Sequence, residues 1–291
     1  MKKAVLMGLI LGAFTTGGYA GESDGIFSFK VRQFEVHMIV EAQRDGNADI
    51  LVGADEALLK RYIPETGFKH TANAFLIKGP RHTFLIDTGT GAGGIVVEKI
   101  QKLGIDPKEI DAVLITHLHG DHFGSLQKDG KAVFPNAKIF LSAKEHEYFT
   151  KTAPNQGAIA ALAPYDSNII TFTPADIAFA ASGQKINDLV PGIRAIAAYG
   201  HTPGHTIFQL HSGSASLLIV ADLLHVALVQ FPAPDISATY DMDKEEAAST
   251  RRQVLDYAAK NKIPIGGMHI VYPAVGSVET DGNGFKFTPA R

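Results

Sequence analysis

Short apolar runs punctuate the chain. Thr83-Phe-Leu-Ile-Asp87, Ala112-Val-Leu-Ile-Thr116 and Leu217-Leu-Ile-Val-Ala221 are rich in leucine or β-branched side chains, and each gives way at once to polar or glycine residues. That pattern predicts buried strands whose ends carry function. Helical spacing lies between the runs. Residues 94–103 place Ile95, Val96, Ile100 and Leu103 on one side. Ser142 to Lys151 opens with a serine followed three residues later by Glu145, the spacing of a capping box. The longest helix is expected over Asp243 to Lys260, with Asp243 as its cap, Val254, Leu255 and Ala258 on its apolar side and Pro264 after its end. Strands alternating with helices imply a layered α/β architecture. No repeat or low-complexity tract interrupts it, so residues 21–291 are expected to form one domain.

The first twenty residues stand apart. Lys2 and Lys3 precede an apolar stretch, Ala4 to Phe14, that is too short to span a bilayer, and Gly18-Tyr19-Ala20 puts small residues at a cleavage site. Residues 1–20 therefore read as a signal peptide, and the chain as periplasmic or secreted, with no stable membrane insertion after cleavage. The formal net charge of −3 becomes more negative without the two lysines. Such a chain has no electrostatic footprint for nucleic acid. It has no cysteine, so it forms no disulfide and any metal ligands must be His, Asp or Glu.

His117-Leu-His119-Gly-Asp121-His122 directly follows one of the apolar runs. In extended backbone His117 and His119 project to one side and can share a cation. A turn into helix at Asp121 and His122 would face these two toward a second cation. His205, in the loop Gly200-His-Thr-Pro-Gly-His205, Asp222 at the end of a strand, and His269 after Pro264-Ile-Gly-Gly-Met complete the candidate set. Two neighbouring cations lower the pKa of a shared water towards about 7 and polarise a carbonyl or phosphoryl oxygen.

His-x-His-x-Asp-His, then Gly-His-Thr-Pro-Gly-His, an Asp after an apolar strand and a late His resemble the metallo-β-lactamase superfamily. The resemblance implies a four-layer αββα sandwich. It also implies His117, His119 and His205 on a first metal, Asp121, His122 and His269 on a second, and Asp222 bridging them. Two divalent ions, zinc by preference, are the implied cofactors. Asp87 is expected to fix a turn or orient a ligand rather than bind metal, and His201 to play a supporting role.

The ligands alone do not choose the electrophile. Ala221-Asp-Leu-Leu-His-Val-Ala-Leu-Val-Gln-Phe231 resembles the methyl parathion hydrolase-like lactonase branch. That likeness implies a small-molecule substrate and hydrolysis of acyl-homoserine or aryl lactones by a metal-bridging hydroxide. The alternatives are an organophosphate triester, a β-lactam or thioester, or an envelope zinc-binding protein without catalysis. Asp121 and His225 are the candidate catalytic groups, since histidine can protonate a leaving alkoxide or bond an oxyanion. Phe149, Phe231 and Tyr240 are expected to line the substrate pocket, with Tyr148 as a further candidate, and a homodimer is admitted.

Overall fold

The computed structural model describes residues 24–91 and 95–291. The expected signal peptide lies outside the described residues, as does Gly94 at the start of the first expected helix. Two sheets carry the fold. The first runs Ile26–Val31, Phe34–Asp45, Lys69–Lys78, Thr83–Ile86, Ala112–Leu114, Lys138–Ser142 and Ile169–Phe172 in that order. Its first four strands pair antiparallel, and Thr83–Ile86 and the three that follow pair parallel. The second runs Ile193–Ala197, Thr206–Ser212, Ala215–Ile219, Ile265–Gly266, Val275–Asp281 and Gly284–Pro289. Its one parallel pair joins Ala215–Ile219 to Ile265–Gly266, and the long helix Lys244–Asn261 makes that crossover.

Side-chain alternation assigns the layers. Phe75, Ile77, Phe84, Ile86, Ala112, Leu114 and Phe140 of the first sheet join Ile207, Phe208, Leu217 and Ile219 of the second in one buried core, to which the long helix adds Val254, Leu255 and Ala258. The residues between them, Ala74, Leu76, Leu85, Val113, Ile139 and Leu141, face the other way. There they pack on Val96 and Ile100 of the helix Ile95–Lys102 and on Ala158, Ala161 and Leu162 of Gln156–Leu162. The result is helix, sheet, sheet, helix.

The apolar runs become strands close to where the pattern puts them, and the long helix begins and ends one residue later than expected. Asp243 caps it by accepting from the Glu246 amide, and Lys262 ends it in left-handed backbone at φ 53°. The capping box is a correction. Ser142 makes no side-chain cap bond, and the helix is short, Ala143–Glu147, before widening into a π turn over Tyr148–Thr152. The Glu145 carboxylate is spent on two other loops.

Arg251 is fully buried in the long helix. Its guanidinium donates to the carbonyls of Leu223, Pro234 and Ile236 and to Asp241. A buried guanidinium is tolerated because its donors are met, and these bonds hold the segment after Asp222 in place. Arg251→Met removes the donors and leaves Asp241 without its cation. A loss of about 3–5 kcal/mol is expected in urea unfolding, and a loss under about 1 kcal/mol would show that the segment holds itself.

Candidate metal centre

The edges of the two sheets meet where several strands end. Asp87 follows Thr83–Ile86 in left-handed backbone at φ 56°, and Ala221, just before Asp222, does the same at φ 48°. Non-glycine residues adopt this region seldom and at a cost, and such turns cluster at functional sites. Beyond Ala112–Leu114 the chain runs to His119, whose backbone is extended, and then turns into the short helix Gly120–Phe123, which sends Asp121 and His122 in a new direction.

Among the described residues three groups of candidate ligand atoms form here: His201, His225 and Asp241 make one, and the other two share Asp222. Of these two, the first holds His117, His119, His201 and Asp222, and the second Asp121, His122, Asp222 and His269. In the first, His117 Nε2, His119 Nδ1 and His201 Nε2 lie 3.0–3.2 Å from one another. Asp222 Oδ2 lies 3.4 Å from His201 Nε2 and 3.7 Å from His117 Nε2. In the second, Asp222 Oδ1 is 3.1 Å from His122 Nε2 and Oδ2 is 3.0 Å from His269 Nε2. Asp121 approaches the same two nitrogens at 3.6 and 3.5 Å.

The far nitrogen of four imidazoles is held in turn. His122 Nδ1 donates to Asp87 at 2.7 Å, and His269 Nδ1 to the Thr71 carbonyl at 2.7 Å. His201 Nδ1 donates to Asp241 at 2.9 Å. Thr116 gives its own proton to Asp87 and so accepts from His117 Nδ1 at 3.0 Å. On His117 and His201, which burial keeps neutral, protons on those atoms leave lone pairs on the inner nitrogens, the arrangement outer partners impose on metal-binding histidines. Two such lone pairs, on His117 and His201, then face each other at 3.2 Å, which is repulsive unless a cation lies between. His122 Nε2 and Asp222 Oδ1 are buried without a hydrogen-bond partner. Tetrahedral bonds of about 2.0–2.1 Å would set ligand nitrogens about 3.3 Å apart, so the donors present fit a metal ion.

Electrostatics follow from the packing. Burial alone would raise the Asp222 carboxyl, but His122, His269 and His117 hold it well below the ordinary carboxylate range. Burial likewise opposes the ionised form of Asp121, and His122 overrides it and keeps the group low. His122 itself is pushed down by burial and up, more strongly, by Asp222, Asp121 and Asp87. Burial takes His201 down to about 3 even though Asp241 pulls the other way.

The expected ligand set needs one change. His205 belongs to neither group. Its Nδ1 donates to the Ala198 carbonyl at 2.8 Å, and its Nε2 accepts the Asp222 amide at 3.2 Å. Both ring nitrogens are engaged, so His205 braces the Asp222 backbone and His201 takes the place foreseen for it. His117, His119, Asp121, His122, Asp222 and His269 are brought together as expected. Asp87 orients His122, as foreseen.

A cavity of about 490 Å³ opens over both groups. His225 lines it, with Nε2 3.3 Å from Asp222 Oδ2 and its ring stacked on His269 at 5.3 Å between centroids. Gln230 fixes that turn by accepting the amides of His225 and Val226. Both ring nitrogens of His225 are buried without a partner. Tyr240 lines the mouth, 49% exposed. The other aromatic expectations are corrected. Phe231 is buried, stacked on Phe287 at 5.0 Å. Phe149 is buried beside the His119 ring at 6.0 Å, Tyr148 packs edge-on against it, and none of the three reaches the cavity wall. Arg44, His70 and Thr71 line it instead, residues that no motif singled out.

Burial lowers His205 from 6.5 to about 4. Between those values the unfolded chain takes up a proton that the folded chain refuses, so this residue makes stability fall as pH drops, by about 1.4 kcal/mol per pH unit. Urea unfolding of the metal-free protein across this window should be flatter by that slope in His205→Gln. Parallel slopes would show that the imidazole is not held neutral.

The chain is similar in part to known proteins. Exodeoxyribonuclease WalJ of Streptococcus pneumoniae is 26% identical over 103 residues, which are 32% of this chain and 38% of that protein. The chain thus spans well under two thirds of that curated relative. Among solved structures, hydrolase AbOPH of the beta lactamase superfamily superposes with a TM-score of 0.81 at 26% identity, covering 92% of this chain and 98% of its own. AidC, a dizinc quorum-quenching lactonase solved with the product N-hexanoyl-L-homoserine, shares the fold at a TM-score of 0.77 and 24% identity, with 92% and 98% covered. The family model of the metallo-beta-lactamase superfamily matches residues 68–262, a span that includes every member of the two ligand groups except His269. The chain belongs to that superfamily.

Proposed function

We propose that the protein hydrolyses lactones or closely related carboxylic esters using two divalent cations, with zinc the ion best suited to imidazole and carboxylate ligands. His117, His119 and His201 would hold one, Asp121, His122 and His269 the other, and Asp222 would serve both. When bound, such ions lower the pKa of a shared water and polarise the scissile carbonyl. The chain's own residues supply the rest. Asp121 stays ionised for the reasons given above. Its side chain is 35% exposed and lines the cavity, so it presents an ionised carboxylate there.

The observation that carries the lactone reading is His225. It is a buried imidazole on the cavity wall whose two nitrogens have no hydrogen-bond partner, with Nε2 3.3 Å from Asp222 Oδ2. Such a group can bond an oxyanion or protonate a leaving alkoxide. An alkoxide needs that proton, whereas a phenolate leaving a phosphotriester does not. The fold shared with a lactonase supports the same reading. Residues 1–20 support export, and we extend the proposal to a periplasmic or secreted enzyme.

Two measurements test it. Metal removal, or Asp222→Ala, is expected to lower kcat/KM on acyl-homoserine and aryl lactones by about 100-fold or more, with metal content falling in parallel. Full activity in stripped protein would sink the metal chemistry. His225→Leu is expected to lower lactone turnover about 100-fold and to leave or raise turnover of aryl phosphotriesters. Unchanged lactone rates with depressed phosphotriester rates would favour the organophosphate reading.

A further inference from the structure

We propose that Glu145 is a positioning residue that assembles the first imidazole group by clamping together the two loops that carry it. The proposal rests on the metal reading above. His117 and His119 leave the first sheet after Ala112–Leu114, and His201 leaves the second before Thr206–Ser212. One backbone bond, from the Thr206 amide to the Thr116 carbonyl at 3.0 Å, crosses between these loops. Glu145 adds three. One carboxylate oxygen accepts the Leu118 amide at 2.8 Å. The other accepts the Thr202 hydroxyl and the Gly204 amide, both at 2.8 Å.

The placement of these anchors carries the argument. Leu118 stands between His117 and His119, so pinning its amide sets the backbone from which both rings project. Thr202 directly follows His201. The loop is pressed so close that a Cβ on Gly204 would sit 2.3 Å from the Glu145 amide nitrogen, which leaves glycine as the residue that fits. Glu145 is completely buried, and its carboxylate meets neutral donors. Placing a carboxylate there is costly, and without it three buried donors would lose their acceptor. What it adds is a rigid, three-pronged bridge that holds nitrogens from separate halves of the fold within 3.0–3.2 Å of each other.

The experiment compares wild type, Glu145→Gln and Glu145→Asp, each stripped of metal and verified as folded by far-ultraviolet dichroism. Gln keeps the reach but turns an NH₂ toward a donor on one of the two loops. Asp keeps the charge but is one methylene short of spanning both. Each is titrated with Co²⁺ against a competing chelator, with the visible spectrum recorded. Kinetics follow on the reloaded protein. Both variants are expected to bind one Co²⁺ equivalent about 10–100-fold more weakly than wild type, with an altered spectrum, a lower kcat and a KM close to wild type. Wild-type Co²⁺ affinity and spectrum in both variants, with only a lower melting temperature of the metal-free forms, would overturn the clamp. So would a Glu145→Asp protein that binds like wild type while Glu145→Gln does not, because charge rather than reach would then be at work. Failure of the metal reading itself would appear in the wild-type arm, as no uptake of Co²⁺.

Discussion

A carboxylate taken out of water must be met by hydrogen-bond donors or by positive charge, and Asp222 is the point from which the site is organised. It is buried, and five imidazoles, of His117, His122, His201, His225 and His269, approach it within 3.0–3.7 Å. Its two oxygens belong to both ligand groups, so neither group is complete without it. The surroundings are built to keep it there. His205 holds its amide, Ala221 bends the chain just before it, and Arg251 holds the carbonyl of the next residue.

Each half of the fold brings part of the charge and part of the ligands. The first sheet delivers the run from His117 to His122, and the second delivers His201, Asp222 and His269. Neither sheet alone presents a site. The strands therefore serve as rigid arms, and the precision lies in what ties their loops together: Asp87 to Thr116 and His122, Asp241 to His201, Thr71 to His269, and Glu145 across the seam. Sites held on packed elements with their outer contacts fixed keep the tolerance that metal chemistry needs.

Much of this was legible in the sequence because its signal is local. Apolar runs ending in polar residues marked the strands, and four candidate ligands within six positions marked the metal centre. What could not be read was long-range. In Gly200-His-Thr-Pro-Gly-His205 both histidines are chemically equal, and the choice between them depends on which faces Asp222 in three dimensions. Glu145 showed the same limit: its spacing from Ser142 matched a helix cap, yet its partners lie on loops far along the chain. The pocket wall was least legible of all. Arg44, His70 and Thr71 reach it because Phe34–Asp45 and Lys69–Lys78 pair in a register that places Arg44 opposite His70, and no motif announces a register.

That pairing has an evolutionary consequence. The wall formed by the ends of those two strands supplies none of the metal-group atoms, and Tyr240 on the opposite rim stands half in solvent. Arg44 and Tyr240 can change without dismantling the chemistry beneath them, whereas His70 stacks on the His269 ring at 4.6 Å between centroids. Lineages built on this scaffold can therefore drift from one electrophile or acyl group to another by exchanging rim residues, while selection on the buried carboxylate and its imidazoles stays strict.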